Sequence, residues 1–277
     1  MSRFYDLNGK PQTLIPKVDG SGLRPTHIGD AKKHGWVASV STISGIVKLD
    51  DFLTDWKIGQ YMDAAAGSSD LLARNHEEWK KHVKKEAEKA MSAAPELGSR
   101  VHGTIERYHR LRAEGGDMSA LQSTDPDLLP YLIAVHQFCE EHNIKALSKD
   151  HVERRVVVKS ARSAGTCDFV GKWGKDLVVL DWKSQKVRKE PRFYPQFPIQ
   201  LAAYWAGLGK KGKIVSVVID TSKHGSYDAD RGILPGIHYK FYDSPITYYK
   251  FFEAFSRYFY IANEWPEPES VDTPEAA

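Results

Sequence analysis

The chain has 277 residues, of which 41% are hydrophobic, enough for one large domain or for one domain with a helical appendage. Its 39 basic and 36 acidic residues give a net charge of +3, which neither requires nor excludes a nucleic-acid partner. The two cysteines, Cys139 and Cys167, are too few for a zinc ribbon, an iron–sulfur cluster or a disulfide framework. No signal peptide and no apolar run of membrane-spanning length is recognisable, so we expect a soluble, cytoplasmic protein without membrane association.

The first part of the chain predicts an arm followed by helices. Residues 1–38 are polar, with scattered glycine and proline, and are expected to form an irregular arm. Residues 40–66 carry apolar side chains at helical spacing and predict one or two helices, and residues 70–93 predict a charged helix. Proline is favoured in the first turn of a helix, so Pro95 is expected to start a new helix that ends near Gly115.

Another helix is expected after Asp125, and beyond it the apolar pattern changes to a period of two residues. Three strands, a helix, two strands and a terminal helix are then predicted, at residues 152–158, 166–173, 177–183, 196–208, 213–220, 236–242 and 246–265. Gly174-Lys175-Asp176 suits a tight hairpin between the second and third strands. The predicted fold class is therefore α/β, with a mixed central sheet flanked by helices and a helical N-terminal region.

Two carboxylates and an amine converge where two of these strands end. Gly165-Thr166-Cys167-Asp168 is followed by Asp181-Trp182-Lys183, which closes a run of apolar residues. Asp181 and Lys183 point to one face of their strand, and Asp168 can lie opposite Asp181 on the neighbouring strand. Buried acids need a partner, and carboxylate oxygens suit Mg²⁺ or Mn²⁺. An isolated Asp-x-Lys is also typical of a solvated strand face, so the rest of the chain must decide.

Acidic and imidazole side chains elsewhere can reach the same place. Gly98, His102 and Glu106 recur at four-residue intervals on a predicted helix, so His102 and Glu106 share a face. That face offers a metal ligand or a simple surface pair. Glu153 starts the first predicted strand, where it brings a third carboxylate to the sheet edge or pairs with Arg155 at the surface.

The segment after the Asp-x-Lys strand combines positive charge with aromatic rings, which suits phosphate contacts and base stacking as well as a solvated loop. The candidate nucleic-acid-binding residues are Lys186, Arg188, Lys189, Arg192 and Tyr194. Gln200 and Tyr204 follow four residues apart on the next predicted helix. Their shared face predicts contact with a phosphate or with Lys183, or else ordinary amphipathic packing.

Taken together, these residues resemble the PD-(D/E)XK nuclease superfamily and, within it, the RecB-type branch. That branch shows a helical G-x-x-x-H-x-x-x-E, then G-x-x-D, D-x-K and Q-x-x-x-Y, and all four motifs occur here in that order within residues 95–220. The resemblance implies an α-β-β-β-α-β nuclease core over residues 95–265. Residues 1–94 would form an N-terminal arm and helical region, and residues 266–277 a disordered acidic tail.

The resemblance also implies roles for the motif residues. The expected metal ligands are His102, Asp168, Asp181 and the backbone carbonyl of Trp182, holding one or two Mg²⁺ or Mn²⁺ ions. Glu106 or Glu153 would hold a second metal or a bound water. Lys183 would position the attacking water or neutralise the scissile phosphate, and Gln200 and Tyr204 would orient Lys183 and the substrate backbone. The expected catalytic residues are thus Asp168, Asp181, Lys183, Glu106, Gln200 and Tyr204.

The function implied is a metal-dependent DNA exonuclease in recombination, repair or replication, with a phage gene as the expected source. Two cysteines are too few for the cluster-bearing members, whereas phage-type and mitochondrial-type exonucleases fit. A structure- or site-specific endonuclease on the same core, or an inactive nucleic-acid-binding protein, is the alternative. DNA is the expected partner, with a second copy of the chain or a recombination or replication protein as further candidates.

Overall fold

A central sheet with helices on both faces forms the body of the protein. The computed structural model describes residues 3–47, 50–116, 125–187, 189–222 and 232–265. The predicted tail at residues 266–277 and the predicted phosphate contact at Arg188 lie outside these residues. In the described part of the chain, no helix is both long enough and apolar enough to cross a membrane.

Ten strands are present among the described residues. In chain order they are β1 (Phe4–Tyr5), β2 (Leu14–Pro16), β3 (Leu23–Pro25), β4 (Val37–Ser39), β5 (Ile144–Ala146), β6 (Val152–Val158), β7 (Ser163–Trp173), β8 (Asp176–Gln185), β9 (Lys213–Asp220) and β10 (Ile237–Tyr242). Strands β1, β4, β7, β8, β9 and β10 lie side by side in that order, with β5 and β6 also paired to β7. The small hairpin of β2 and β3 stands apart from this sheet.

The helices are α1 (Ile28–His34), α2 (Val40–Ser44), α3 (Asp50–Ala66), α4 (Ser69–Arg74), α5 (His76–Ala113), α6 (Leu129–Glu141), α7 (Gln196–Gly207) and α8 (Pro245–Ala262). Two apolar clusters fill the space between the sheet and the helices. One contains side chains of α2, α7 and α8, and the other contains side chains of α5 and α6. Because the two clusters use alternate residues of the same strands, such as Val178 and Val179 of β8, the sheet is buried on both faces.

The predicted α/β core is confirmed, including the hairpin that connects β7 to β8. Trp173 pairs with Asp176, so the connecting loop has two residues, and Gly174 has a φ of +59°. Two-residue hairpins favour glycine because they need positive φ values. Both strands are longer than predicted, and the short strand β5 was not predicted.

The prediction of an irregular arm at residues 1–38 is wrong. Ala38 and Ser39 of β4 pair in parallel with Ser163 and Ala164 of β7, and β1 adds to the outer edge of β4. The side chains of Phe4, Val37 and Ala38 are buried. Strands of two or three residues give too short an alternating pattern to be recognised, and their pairing partner lies far along the chain.

The prediction that Pro95 starts a helix is also wrong, because α5 runs unbroken through this residue. Proline cannot donate the backbone hydrogen bond of a helix interior, and its ring crowds the preceding turn. Here the ring is exposed at the edge of a cleft. Packing of the two halves of α5 on α3 and on the sheet holds the helix together across it. The division between residues 94 and 95 remains a prediction, although one helix crosses it.

Candidate active site

The sheet splits at the point where the acidic residues lie. Along one edge, β7 pairs with β4 at residues 163 and 164 and with β8 only from Phe169 onward. The other edge of β7 pairs with β6 between Ser163 and Phe169. Beyond the pair of Phe169 and Leu180, β8 continues beside β9 alone. The described strands therefore form a fork, and Asp168 and Asp181 are the first residues on its two prongs.

Three carboxylates lie opposite one another on neighbouring strands at the fork. The register of β7 with β8 places Asp168 opposite Asp181, and that of β6 with β7 places Glu153 opposite Asp168. Glu153 has a φ of +52°, a left-handed backbone conformation that is unusual for a residue other than glycine. It interrupts the ladder between the pairs of Val152 and Arg154. Strain of this kind clusters at functional sites, and here it accompanies an inward-turned carboxylate.

His102 reaches the carboxylates from α5. Its Nε2 lies 3.0 Å from Asp168 Oδ2, and its Nδ1 lies 3.6 Å from Glu153 Oε1. Helix α5 comes close to the sheet at Gly98, one turn earlier, where a Cβ would lie 2.6 Å from Ser184 Oγ of β8. The glycine of the first motif therefore lets the helix approach the strand that carries Asp181 and Lys183.

Asp181 and Lys183 form an ion pair on the face of β8 that meets α7. Lys183 Nζ lies 2.8 and 2.7 Å from the two carboxylate oxygens, and Gln200 Nε2 lies 3.5 Å from Oδ1. The ammonium also sits 5.4 Å from the centre of the Phe197 ring. Sequence analysis missed Phe197, although it shares a helix face with Gln200 three residues later.

Gly165 leaves the space that the Tyr204 side chain occupies. Tyr204 is buried, and a Cβ at Gly165 would lie 2.8 Å from its hydroxyl oxygen and 3.0 Å from Cε1. The Tyr204 ring therefore lies directly on the backbone of β7, and the glycine and the Q-x-x-x-Y motif form one contact beside the two aspartates.

Comparison with known protein families gives one match. The sequence profile of the PD-(D/E)XK nuclease superfamily matches residues 72–223, more than half of the chain. The chain belongs to the PD-(D/E)XK nuclease superfamily. No curated protein is similar enough in sequence to match it. The match begins within the N-terminal helices and ends just after β9, so it contains every candidate site residue.

In this PD-(D/E)XK nuclease, His102 and Asp168 form a charged pair. Burial opposes charge on both groups. The close ion pair between them outweighs it, so the pKa of His102 rises to about 9 and that of Asp168 falls below its usual value. The Trp182 amide adds to this by donating to Asp168 Oδ2 over 2.9 Å. Asp168 is therefore ionised at neutral pH.

The other two carboxyl groups hold their protons more tightly. Burial raises the pKa of Asp181 to about 6, against the opposing effect of Lys183. Burial and the charge of Asp168 raise the pKa of Glu153 to about 7. Both pKa values respond to concentrated negative charge in a buried place, which is a common property of sites that bind a cation or transfer a proton.

The side chains fit a divalent cation. His102, Glu153 and Asp168 each offer one ligand atom, and the three atoms lie within 4.8 Å of one another. Glu153 Oε1 and Asp181 Oδ2 are buried and accept no hydrogen bond from the described residues, although Lys183 neutralises Asp181. PD-(D/E)XK nucleases use divalent metal ions, and carboxylate oxygens with one imidazole suit Mn²⁺ and, less closely, Mg²⁺. The predicted ligand roles of Asp181 and of the Trp182 carbonyl remain predictions.

A cleft of about 630 Å³ opens beside His102, Glu153 and Lys183, lined by α5, β6 and β8. Glu106 lies on its wall, one turn beyond His102, and accepts a hydrogen bond from Arg110 Nε over 2.9 Å. Arg110 was not predicted, although it follows Glu106 at the spacing of a helical ion pair. Glu106 thus shares the cleft with Glu153 but stands outside the tight group of ligand atoms.

The predicted nucleic-acid contacts lie where β8 ends. Lys186, Lys189 and Arg192 are exposed, whereas Tyr194 is half-buried with its ring 5.4 Å from that of Phe197. Tyr194 therefore joins the packing around Lys183. The exposed cations occupy the segment that directly follows β8, and their binding role remains a prediction.

Proposed function

We propose that this PD-(D/E)XK nuclease is a divalent-metal-dependent DNA exonuclease that acts in recombination, repair or replication. The observation that carries the proposal is the fork in the sheet. It brings Glu153, Asp168, Asp181 and Lys183 together beside His102, and three of these side chains, His102, Glu153 and Lys183, line an open cleft. Carboxylates and an amine in a cleft are the groups that metal-assisted phosphodiester hydrolysis needs.

His102, Asp168 and Glu153, with Asp181 beside them, would hold the cation. A bound divalent ion lowers the pKa of its water and stabilises negative charge on a phosphoryl oxygen. Asp168 suits this role best because it is ionised at neutral pH. The pKa of about 7 at Glu153 lets this side chain exchange a proton with water in the cleft.

Lys183 is the group placed to meet the scissile phosphate. Its ammonium is held by Asp181 and by the Phe197 ring, and burial is outweighed by the neighbouring carboxylates, so its pKa is raised. It therefore stays charged at physiological pH and can neutralise the phosphate or orient the attacking water. Gln200 approaches the carboxylate to which Lys183 is bound, and Tyr204, one turn later on α7, packs on Gly165 beside it.

DNA is the proposed substrate. Lys186, Lys189 and Arg192 would contact its phosphates, and the half-buried ring of Tyr194 would contact it beside them. Arg188 belongs to the same basic segment of the sequence. A phage gene is the source this proposal favours, and a second copy of the chain or a recombination or replication protein remains a candidate partner.

The experiment is digestion of end-labelled linear single- and double-stranded DNA with Mg²⁺ or Mn²⁺, beside a covalently closed circle. The expected result is loss of linear DNA with the circle intact, and the released label gives the polarity. The Asp181→Ala variant should lose at least about a hundredfold in rate while still binding DNA, because it removes the group that holds Lys183. Asp176→Ala, at the other end of β8, should cleave normally.

Cutting of the closed circle would replace the exonuclease with an endonuclease. Cleavage by Asp181→Ala at the wild-type rate would remove the site assignment. Failure of the wild-type protein to cleave any substrate in either metal would contradict the proposed activity.

A further inference from the structure

A basic segment follows β8, and its described residues, 186, 187 and 189–192, are attached at the far end by the side chain of Gln185. Arg192 N donates to Gln185 Oε1 over 2.7 Å, and Gln185 Nε2 donates to the Arg192 carbonyl over 3.2 Å. A side-chain amide offers a donor and an acceptor side by side, as a peptide group does to a neighbouring strand. Gln185 thus attaches the far end of the segment to the end of β8.

Asp220 holds the near end of the same segment. This carboxylate is 4% exposed at the end of β9. It accepts from Val187 N over 3.0 Å and from Ser222 N over 2.7 Å. Thr221 N donates to the Gln185 carbonyl over 2.8 Å, which joins the two attachments. A buried carboxylate with several amide donors is a strong and rigid acceptor.

The two attachments place the segment next to the reacting groups. Gln185 lies on the same face of β8 as Asp181 and Lys183, because side chains two residues apart share a face. Two residues of strand span about 7 Å, so Gln185 follows Lys183 at about that distance along β8. The two hydrogen bonds hold the Arg192 backbone against the end of the Gln185 side chain. A nucleic-acid strand whose scissile phosphate lies at Lys183 would bring its neighbouring phosphates over the segment.

We infer that Gln185 and Asp220 are positioning residues, which fix the basic segment so that its cations hold the phosphates beside the scissile one. The inference rests on the proposed nuclease function, which supplies the phosphates. The exposed cations do the binding, and Gln185 and Asp220 act only through them. Loss of either attachment should weaken substrate binding and leave the chemical step largely intact.

The test compares Gln185→Ala with the wild-type protein in two independent assays. The first is the rate of limited trypsin cleavage at Lys186, Lys189 and Arg192, located by mass spectrometry, which should rise at least about tenfold when the segment opens. The second is steady-state cleavage of a short linear DNA, in which KM should rise about fivefold or more and kcat should change less than twofold, with a smaller salt dependence of binding. Gln137→Ala, an exposed glutamine of α6, is the matched control and should change neither assay.

Two further variants separate positioning from general damage. Gln185→Glu keeps the acceptor for Arg192 N and should fall between wild type and Gln185→Ala in both assays. Asp220→Asn keeps one acceptor oxygen and should shift KM in the same direction. The thermal unfolding midpoint, measured for each variant, identifies any loss of the whole fold.

Each outcome decides the inference. Unchanged trypsin cleavage of Gln185→Ala would overturn the attachment, whatever the protein does to DNA. Faster trypsin cleavage with unchanged KM would overturn the link to substrate, as would a loss confined to kcat. A wild-type protein that neither binds nor cleaves DNA would refute the proposed function, while the trypsin assay would still decide whether Gln185 anchors the segment.

Discussion

Lys183 illustrates how much of the site depends on single contacts. Its ammonium neutralises Asp181, which is 2% exposed and would otherwise be a buried carboxylate without a cation. A buried charge without a partner is costly, so the two side chains stabilise each other as well as any bound phosphate. Neither Asp181 nor Lys183 belongs to the group of ligand atoms that His102, Glu153 and Asp168 form.

Replacement of Lys183 should therefore separate catalysis from metal binding. Lys183→Ala is expected to lower the cleavage rate by about 10²–10³-fold, because it removes the cation that meets the phosphate. Mn²⁺ affinity, measured by calorimetry, should stay within a few fold of wild type. Lys172→Ala, an exposed lysine on β7, is the control. A large loss of Mn²⁺ affinity in Lys183→Ala would mean that the ion pair organises the metal ligands.

The protonation of the site predicts how stability depends on pH when no metal is bound. The folded-state pKa values of Asp181, Glu153 and His102 are about 6, 7 and 9, against ordinary values of 3.8, 4.5 and 6.5. Each is raised, so the folded protein binds more protons than the unfolded one, and the stabilisation is lost as pH rises. The pKa of Asp168 is lowered, so this group is ionised in both states above about pH 5 and leaves the slope unchanged.

Urea unfolding in EDTA at pH 5, 7 and 9 should give a free energy of unfolding that falls steadily. Added Mn²⁺ should reduce this fall, because the cation takes the place of the protons. Glu153→Gln removes one titrating group and should flatten the part between pH 5 and 7. A free energy that stays constant or increases with pH in the wild-type protein would contradict these pKa directions.

At the scale of elements, close approaches at glycine place α5 and α7 against the sheet. Gly98 brings α5 to β8, and Gly165 lets the Tyr204 ring of α7 lie on β7. The sequence motifs therefore combine chemistry with packing, since Gly98 approaches Ser184, the residue after the Asp-x-Lys motif, and Gly165 approaches Tyr204 of the Q-x-x-x-Y motif. Interiors are packed closely enough that one added methyl group is felt.

Gly165→Ala tests this contact. The new Cβ would lie 3.0 Å or less from two atoms of the buried Tyr204 ring, so the ring must move. We expect a loss of about 1–3 kcal/mol in the free energy of unfolding, together with reduced cleavage, since Gln200 would shift with Tyr204. Gly59→Ala on α3 has open space around the added Cβ and should be neutral or stabilising, by at most about 1 kcal/mol. Equal stability of the two variants in urea unfolding would contradict this contact.

At the scale of the whole molecule, the first strands of the sheet contact helix α8, which lies far from them in the sequence. Tyr260 of α8 accepts a hydrogen bond from Ala38 N over 3.0 Å and donates to the Arg162 carbonyl, just before β7. Trp265 packs against Phe4, with ring centres 6.0 Å apart. Strands β1 and β4 are therefore part of the folded body rather than of an attached arm.

Tyr260→Phe tests how much the hydrogen bond between α8 and β4 stabilises the protein. The substitution keeps the ring and leaves a buried backbone N–H of β4 without its acceptor, which should cost about 1–3 kcal/mol in urea unfolding. Tyr258→Phe, whose side chain is 62% exposed, should change the free energy of unfolding by less than about 0.5 kcal/mol. A similar small effect at Tyr260 would mean that the N-terminal strands add little to the stability of the sheet.

Local sequence determined much of this molecule. The strands β6 to β9, the hairpin at Gly174 and helix α7 follow from the period of apolar residues and from turn chemistry, which act between near neighbours. Alternation along β8 put Asp181 and Lys183 on one face, and the four motifs in order led to the family that the comparison confirms.

Tertiary structure decided what those residues can do. The pairing of β4 with β7, the end of the β7–β8 ladder at Phe169 and the left-handed turn at Glu153 depend on partners distant in the chain. A short strand or a proline such as Pro95 has a local preference that packing energy can override. The sequence therefore identified the candidate site residues. The fork, which depends on long-range strand pairing, brought them to within a few ångströms of one another.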